Sequence, residues 1–282
     1  MPLRLLVVAS ETPDQQAARR RRSGLASHET YAETLRDMDP DCIVEHHSCV
    51  EGSDAISEAR LGRFDGAIFA GSPIQMHEDR PEVRSAAGFM ARVFGAGLPS
   101  FGSCAGLQIA AVAAGGTVKP RDAEMEAGFA RCVVASDAGR AHPMLQGRPG
   151  AWDAPTMHSA MVDRMPAGGT VLASTAEVPI EAAEIRSGRG VFWGVQYHPE
   201  LALREIAEAL RGQSDALVDQ GLARSPEVID SYSRHLEALD ADPARRDLAW
   251  QLGLDAEVID KQRRRREIRN FLRHLKGAAS PR

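Results

Sequence analysis

A short strand that runs directly into a helix is predicted at Pro99-Ser100-Phe101-Gly102-Ser103-Cys104-Ala105-Gly106-Leu107-Gln108. A nucleophile in such a turn needs small neighbours, because the turn is strained and the backbone crowds itself. Gly102 and Gly106 stand two residues before and after Cys104, as that geometry requires. The N-terminus of the helix would favour a thiolate and present free backbone N–H groups to an oxyanion. Taken alone, the segment leaves open whether Cys104 is a nucleophile or a buried structural cysteine.

Short apolar strands alternate with helices on both sides of this turn, which is typical of a parallel α/β sheet. Strands are predicted at Leu3 to Ser10, Cys42 to Cys49 and Gly66 to Ala70, and helices at Ser27 to Met38, Pro81 to Gly95 and Gly106 to Ala114. From Gly128 to about Gly194, strand-like segments with Gly and Pro turns predict extra antiparallel or mixed strands on the same sheet. We therefore expect an α/β fold with a mostly parallel open sheet flanked by helices.

The last eighty or so residues predict helices and almost no strand. Ser225-Pro226 and Asp242-Pro243 are helix start signals, and a fourth, highly charged helix is predicted from Asp255 to near Gly277. We therefore divide the chain into a catalytic domain at 1–211 and a helical C-terminal extension at 212–282. The extension has two compatible interpretations: a cap packed on the α/β domain, or a docking surface for a partner or a second subunit.

The composition is that of an ordinary globular protein of 282 residues, long enough for one sizeable core plus an appendage. A net charge of −5 and a pI near 6.0 give no case for a nucleic-acid or membrane partner. The apolar stretch from Leu5 to Ala9 is too short for a signal-peptide core or a membrane span. We therefore expect a soluble, cytoplasmic protein.

None of the four cysteines belongs to a Cys-x-x-Cys pair, so the spacing supports neither a zinc site nor a redox dithiol. We expect no metal and no organic cofactor. A basic run, Arg19 to Arg22, is predicted to form a solvated loop after the first strand, near the mouth of the site. The alternative is that it contacts an anionic substrate or partner.

A histidine and a glutamate two residues apart occur in the segment Gly194-Val195-Gln196-Tyr197-His198-Pro199-Glu200. A thiolate nucleophile needs an imidazole to take and return the proton, and the imidazole needs a carboxylate to fix its tautomer. Residues two apart on an extended segment point to the same side. The spacing therefore predicts that His198 and Glu200 converge.

Together the two segments resemble the class I glutamine amidotransferases, whose motifs read Gly-x-Cys-x-Gly-x-Gln and Gly-x-Gln-x-His-Pro-Glu. The resemblance extends from about residue 3 to 210 and is nearest to stand-alone relatives of the amidotransferase domain of GMP synthase. It implies the flavodoxin-like fold of that family and a catalytic triad of Cys104, His198 and Glu200. It also implies acyl transfer through a γ-glutamyl thioester on Cys104.

Further residues match the family one at a time. The segment Ala70-Gly71-Ser72-Pro73 resembles the family's Gly-Gly-Pro-type loop. This resemblance implies that the backbone N–H groups of Gly71 and Ala105 form the oxyanion hole and that Ser72 borders the substrate. Gln108 matches the family glutamine that helps to hold the glutamyl part of the substrate.

The segment Met157-His158-Ser159 resembles the family's Ser-His-x-Asp segment, whose backbone holds the α-amino and carboxylate ends of the substrate. It departs from that pattern, because Met157 stands where the usual Ser would be and Ala160 where the usual Asp would be. Ser103 likewise replaces the apolar residue that is common before the nucleophile. These departures leave room for a γ-glutamyl substrate larger than glutamine.

Three functions follow as hypotheses. The first is a glutaminase that hands ammonia to a synthase on another chain, which fits the absence of a Gly-x-x-x-x-Gly-Lys-Ser/Thr nucleotide-binding loop. The second is a self-sufficient γ-glutamyl peptidase or hydrolase, which the changes at Met157 and Ala160 modestly favour. The third is a regulatory or binding protein with a relict site, which an intact set of three catalytic residues argues against. The helical extension could also serve a homo-oligomer.

Overall fold

Nine strands of the chain lie in one sheet, in the order β2-β1-β3-β4-β11-β10-β9-β6-β7, within the residues that the computed structural model describes (2–51, 56–122 and 125–279). A separate antiparallel pair joins β5 and β8. In chain order the strands are β1 (Arg4–Ala9), β2 (Ile43–Ser48), β3 (Gly66–Phe69), β4 (Ser100–Ser103), β5 (Thr117–Pro120), β6 (Glu126–Ala135), β7 (Ala151–His158), β8 (Ala160–Arg164), β9 (Gly169–Ser174), β10 (Ala182–Ser187) and β11 (Gly190–Val195).

The sheet has a parallel half and an antiparallel half. Strands β2, β1, β3, β4 and β11 pair in parallel, whereas β10, β9, β6 and β7 continue the sheet antiparallel. The central parallel strands β1, β3 and β11 read as apolar runs because both of their faces are covered, whereas the edge strand β2 is polar and partly exposed. The predicted α/β class is therefore confirmed, and the antiparallel half corresponds to the change of pattern after Gly128.

Thirteen α-helices occur in the described ranges, together with a short 3₁₀ turn at Pro143–Leu145. They are α1 (Pro13–Ser23), α2 (Ser27–Met38), α3 (Glu58–Leu61), α4 (Pro81–Ala96), α5 (Ala105–Ala113), α6 (Asp137–Ala141), α7 (Leu203–Gly212), α8 (Ser214–Asp219), α9 (Pro226–Ala241), α10 (Arg246–Leu252), α11 (Ala256–Ile259), α12 (Lys261–Arg264) and α13 (Arg266–Ala279). None of these helices combines the length and the apolarity needed to cross a bilayer.

The two faces of the sheet are covered by different helices, since side chains alternate along each strand. Leu6 and Val8 of β1 pack on one face against α4 and α5. Leu5 and Val7 pack on the other face against α2 and against Phe271 of α13. Both clusters are fully buried and hold the strand ends, where the site lies, in fixed positions.

The basic run Arg19 to Arg22 does not form the predicted loop; it belongs to α1. Thr12 begins that helix, because its side chain accepts from the backbone N–H of Gln15 and the Gln15 side chain accepts from the backbone N–H of Thr12. The prediction of a loop was wrong because this capping box was not recognised. Gly24, with φ of 84°, then ends the helix in the left-handed region.

The predicted single helix from Asp255 to Gly277 is also wrong, because three helices occupy that stretch. Asp255 and Asp260 each start a helix, since their carboxylates accept from backbone N–H groups two residues on. The last helix, α13, then turns back onto the sheet, where Phe271 lies in the same core as Phe101. The division into 1–211 and 212–282 stays a prediction, with the observation that α13 shares a core with the first part.

Candidate active site

Cys104 lies in a strained turn between β4 and α5. Its φ of 50° and ψ of −107° are unusual for a residue with a side chain. A Cβ atom at Gly106 would lie 2.7 Å from the carbonyl oxygen of Phe69, and one at Gly102 only 3.1 Å from the Cα of Gly106. A side chain at residue 106 would therefore clash with the backbone, and one at residue 102 would be tightly crowded, as the predicted need for small residues implies. The backbone N–H of Cys104 donates to the carbonyl of Val195 at 2.8 Å, which ties the turn to β11.

His198 faces Cys104 from the segment that follows β11. Nδ1 of His198 lies 2.7 Å from Oε1 of Glu200, so the predicted convergence of these two side chains is found in the structure. Burial acts to lower the pKa of His198, but the charges of Glu200 and Cys104 and hydrogen bonds with both raise it to about 10. The imidazole is therefore held as a cation, with the carboxylate of Glu200 on one side and Cys104 on the other.

Glu200 is held by two hydroxyls in addition to His198. Ser103 Oγ donates to Oε1 of Glu200 at 3.0 Å, and Tyr31 Oη lies 3.1 Å from Oε2. Burial acts to raise the pKa of Glu200, but the charge and hydrogen bond of His198, together with the hydrogen bond from Ser103, hold it below its ordinary value. Sequence reasoning recorded Ser103 only as a departure from the family and gave Tyr31 no role.

Gly71 lies against both catalytic candidates. A Cβ atom at Gly71 would be 2.6 Å from Cε1 of His198 and 3.6 Å from Cβ of Cys104. Ala105 is the first residue of α5, so its N–H has no acceptor within the helix. Both positions fit the predicted oxyanion hole, which stays a prediction.

A cavity of about 370 Å³ opens beside Cys104 and His198. It is bordered by every residue that the sequence predicted for substrate binding, namely Ser72, Gln108, Met157, His158 and Ser159. These residues come from the loop after β3, from α5 and from the end of β7. The structure therefore brings together three segments that are far apart in the chain.

The side chains on one wall of the cavity are engaged with one another. His158 contacts Glu126 through Nε2 at 2.8 Å and the carbonyl oxygen of Ala160 through Nδ1 at 3.0 Å. Gln108 donates to the same carbonyl of Ala160 at 2.9 Å. The carbonyl oxygen of Met157 lies 4.0 Å from Sγ of Cys104. This wall consequently offers backbone groups near the nucleophile, as the resemblance implied.

Helix α1 contributes a further part of the cavity lining through Gln15, Ala18, Arg19 and Arg22, with Gln213 after α7. Arg19 donates to Ser27 Oγ at 2.9 Å. The sequence placed the basic run near the mouth of the site, and Arg19 and Arg22 do border the cavity. It did not predict that the run belongs to a helix.

Across residues 2–51, 56–122 and 125–279, no group of three or more His, Cys, Asp or Glu side chains is arranged to hold a metal ion.

The model of the family described as glutamine amidotransferase class-I matches residues 29–213 of the chain. A protein from a Pseudomonas species, named gamma-glutamyl-L-1-hydroxyisopropylamide hydrolase, is 32% identical over 279 residues, covering 97% of this chain and 93% of its own length. The glutamine-hydrolysing GMP synthase of Leifsonia xyli is 35% identical over 146 residues, which cover 51% of this chain and 27% of that protein.

Solved structures share the fold at low sequence identity. A glutamine amidotransferase from Thermotoga maritima superposes with a TM-score of 0.64 at 14% identity, covering 98% of each chain. One from Methylobacillus flagellatus gives a TM-score of 0.61 at 16% identity, covering 98% of this chain and 94% of its own. The similarity to both proteins includes the C-terminal helices, because nearly the whole chain is covered.

Proposed function

Because the chain belongs to the class I glutamine amidotransferase family, we propose that it is a cysteine-dependent hydrolase of γ-glutamyl amides that acts without a partner. The observation that carries this proposal is the arrangement of Cys104, His198 and Glu200 at one cavity. Cys104 stands in the strained turn, His198 faces it, and Glu200 fixes Nδ1 of His198 at 2.7 Å. Such a set is suited to nucleophilic acyl transfer.

In the first half of the proposed reaction, Sγ of Cys104 attacks the side-chain carbonyl carbon of the γ-glutamyl amide. The resulting oxyanion accepts hydrogen bonds from the backbone N–H groups of Gly71 and Ala105, and each such donor lowers the barrier by about 3 kcal/mol in comparable sites. His198 gives its proton to the leaving nitrogen. The C–N bond breaks, the free amine departs, and a γ-glutamyl thioester remains on Cys104.

In the second half, water attacks the thioester carbonyl while the now neutral His198 takes its proton. The C–S bond breaks and glutamate is released. Sγ leaves as a thiolate and His198 is again a cation, so the starting state of the pair is restored. Glu200 stays ionised throughout, since its task is to orient and stabilise the imidazolium.

The leaving group is proposed to be a small amine that is larger than ammonia. The relative from Pseudomonas, which is similar along almost the whole chain, is named for hydrolysis of γ-glutamyl-L-1-hydroxyisopropylamide. The cavity supports this choice, because residues of α1 line it together with Cys104 and the segment at Met157. The departures at Met157 and Ala160 fit a substrate other than glutamine.

A second candidate is a glutaminase that supplies ammonia to a synthase on another chain. It is favoured by the similarity to GMP synthases, which is confined to about half of this chain and about a quarter of theirs. The third candidate, a regulatory protein with a relict site, requires that Cys104 be unreactive. The three candidates predict different results for glutamate release: release from the larger amide without a partner, release from glutamine with a synthase present, or no release that depends on Cys104.

The deciding experiment measures glutamate release from glutamine and from γ-glutamyl-L-1-hydroxyisopropylamide. Wild type is compared with Cys104→Ala and with Cys132→Ala, a control that removes an exposed free cysteine. The proposal expects turnover of the larger amide by wild type and Cys132→Ala, with loss of at least about a thousandfold in Cys104→Ala. Turnover of glutamine only after a synthase is added would support the second candidate. No Cys104-dependent release from either substrate would reject the enzymatic proposals.

A further inference from the structure

We propose that Tyr31 and Ser103 are positioning residues that hold the carboxylate of Glu200 in the orientation that His198 requires. The inference rests on the proposed function, since it takes His198 as the base that serves Cys104. It concerns Tyr31, which lies outside the two motifs that carry the family resemblance, and Ser103, which occupies a variable position of the first motif. One of them, Ser103, stands where the family commonly has an apolar residue.

The hydroxyls of Tyr31 and Ser103 and the carboxylate of Glu200 form a buried network in which each group contacts the other two. The single O–H of Tyr31 is shared between Ser103 Oγ at 2.7 Å and Oε2 of Glu200 at 3.1 Å. Ser103 Oγ in turn donates to Oε1 of Glu200 at 3.0 Å. Both carboxylate oxygens are therefore contacted, and Oε1 is shared between Ser103 and His198.

The three side chains are shielded from water. Tyr31 and Ser103 have no exposed surface, and Glu200 is 3% exposed. Burial and the charge of Glu200 raise the pKa of Tyr31 well above its ordinary value, so its hydroxyl stays protonated and can only act as a donor to the carboxylate. Hydrogen bonds to a charged group in such surroundings are stronger than bonds between neutral groups.

The hydroxyls restrict a motion that the rest of the site leaves free. The terminal torsion of a glutamate side chain is broad and roughly two-fold, so a carboxylate held at one oxygen can still rotate. Contacts at both Oε1 and Oε2 remove this freedom. The three residues come from α2, β4 and the segment after β11, so the carboxylate is fixed relative to the elbow that carries Cys104.

Two further groups, from other elements of the fold, lie near His198 and Glu200. Nη2 of Arg265, near the start of α13, lies 3.5 Å from the backbone carbonyl oxygen of Glu200, and Cys104 faces His198 from the elbow. Neither contacts the carboxylate oxygens of Glu200 in the way that the two hydroxyls do. Besides His198 and the backbone N–H of Glu200 itself, the groups that hold the carboxylate are therefore the hydroxyls of Tyr31 and Ser103.

The test uses Tyr31→Phe, Ser103→Ala and the double variant in the full-length chain. Two quantities are measured: the steady-state constants for γ-glutamyl-L-1-hydroxyisopropylamide, and the pKa of His198 by NMR titration of histidine-labelled protein without substrate. His198→Gln assigns the signal. We expect kcat to fall roughly tenfold in each single variant with KM unchanged. We also expect the pKa of His198 to fall by about one unit, because a mobile carboxylate stabilises the imidazolium less.

Tyr197→Phe is the matched control. Tyr197 is equally buried and donates to a different carboxylate, that of Glu267, at 2.9 Å. It should change neither kcat nor the pKa of His198. An unchanged His198 pKa in both Tyr31→Phe and Ser103→Ala would overturn the inference, as would an equal shift in Tyr197→Phe.

The two proposals fail in distinguishable ways. If wild type releases no glutamate, the proposed function fails, whereas the titration of His198 still decides whether the hydroxyls position Glu200. If Ser103→Ala does not fold, Tyr31→Phe decides the matter alone, because it keeps the buried ring and removes one oxygen.

Discussion

Gly71 and His198 lie so close that a Cβ atom at residue 71 would be 2.6 Å from Cε1 of the imidazole. Real Cβ atoms do not approach another carbon this closely, so Gly71→Ala must displace the His198 ring. We expect kcat to fall by about a hundredfold, because a shift of roughly 1 Å in a catalytic group has costs of this order. Steady-state kinetics with the γ-glutamyl amide measure the effect.

Gly88→Ala is the control for this substitution. Gly88 lies within α4 with no atom within 4 Å of an added Cβ, so alanine should leave kcat unchanged and stabilise the helix by about 0.5–1 kcal/mol. A fully active Gly71→Ala enzyme would show that His198 does not need its observed position.

The raised pKa of His198 predicts how the stability of the fold depends on pH. The unfolded chain has the ordinary histidine value of 6.5, whereas the folded value is about 10. The imidazolium therefore stabilises the fold fully below pH 6.5, and this contribution is lost as the pH rises through about 10. The difference in free energy of unfolding between wild type and His198→Gln should shrink over that interval. Denaturant titrations of both proteins at a series of pH values measure this difference. A difference that stays constant from pH 6.5 to 10 would show that the folded protein does not stabilise the imidazolium of His198.

Glu181 is fully buried, and Thr175 is a polar neighbour of its carboxylate. Burial, followed by the charge of Glu126, raises its pKa well above 4.5. The unfolded chain then ionises first as the pH rises, so wild type loses stability above about pH 4.5. Relative to wild type, Glu181→Gln should gain stability as the pH rises above about 4.5, by at most about 1.4 kcal/mol per pH unit. Glu58→Gln, which changes an exposed carboxylate in α3, should show no such gain.

Arg148 joins the 3₁₀ turn region to the C-terminal helices. Its guanidinium, 2% exposed, bonds Glu267 at 2.7 Å and Glu257 at 2.8 Å. Arg148→Ala leaves two buried carboxylates without this partner, so we expect a loss of about 3–5 kcal/mol in the free energy of unfolding. Arg245→Ala, which removes an exposed and solvent-screened pair with Asp247, should have a far smaller effect. Equal losses in the free energy of unfolding in the two variants would show that the buried ion pairs of Arg148 stabilise the fold no more than an exposed pair does.

The sequence predicted the α/β class and the main elements of the site because both follow from local patterns. Gly102 and Gly106 mark a turn that only glycine permits, and the two-residue spacing of His198 and Glu200 makes them converge. The hydrogen bonds of Ser103 and Tyr31 to Glu200 could not be predicted from the sequence, because they join residues from three elements that are far apart in the chain. Aspartate is a common N-cap residue, so the start of a helix at Asp260 could have been predicted. It was not, because the charged residues around Asp260 also fit one continuous helix.

The position of α13 has a consequence for how the protein is made. Phe271 packs against Phe101 with ring centroids 5.7 Å apart, and Leu275 fills the space left by Gly66 of β3. Synthesis proceeds from the N-terminus, so the sheet is translated long before the helix that covers this face. Until α13 leaves the ribosome, an apolar surface next to the Cys104 elbow is open to water and to other chains. The nascent protein should therefore be inactive and prone to aggregate, and it should depend on chaperones until the last turns of that helix are translated.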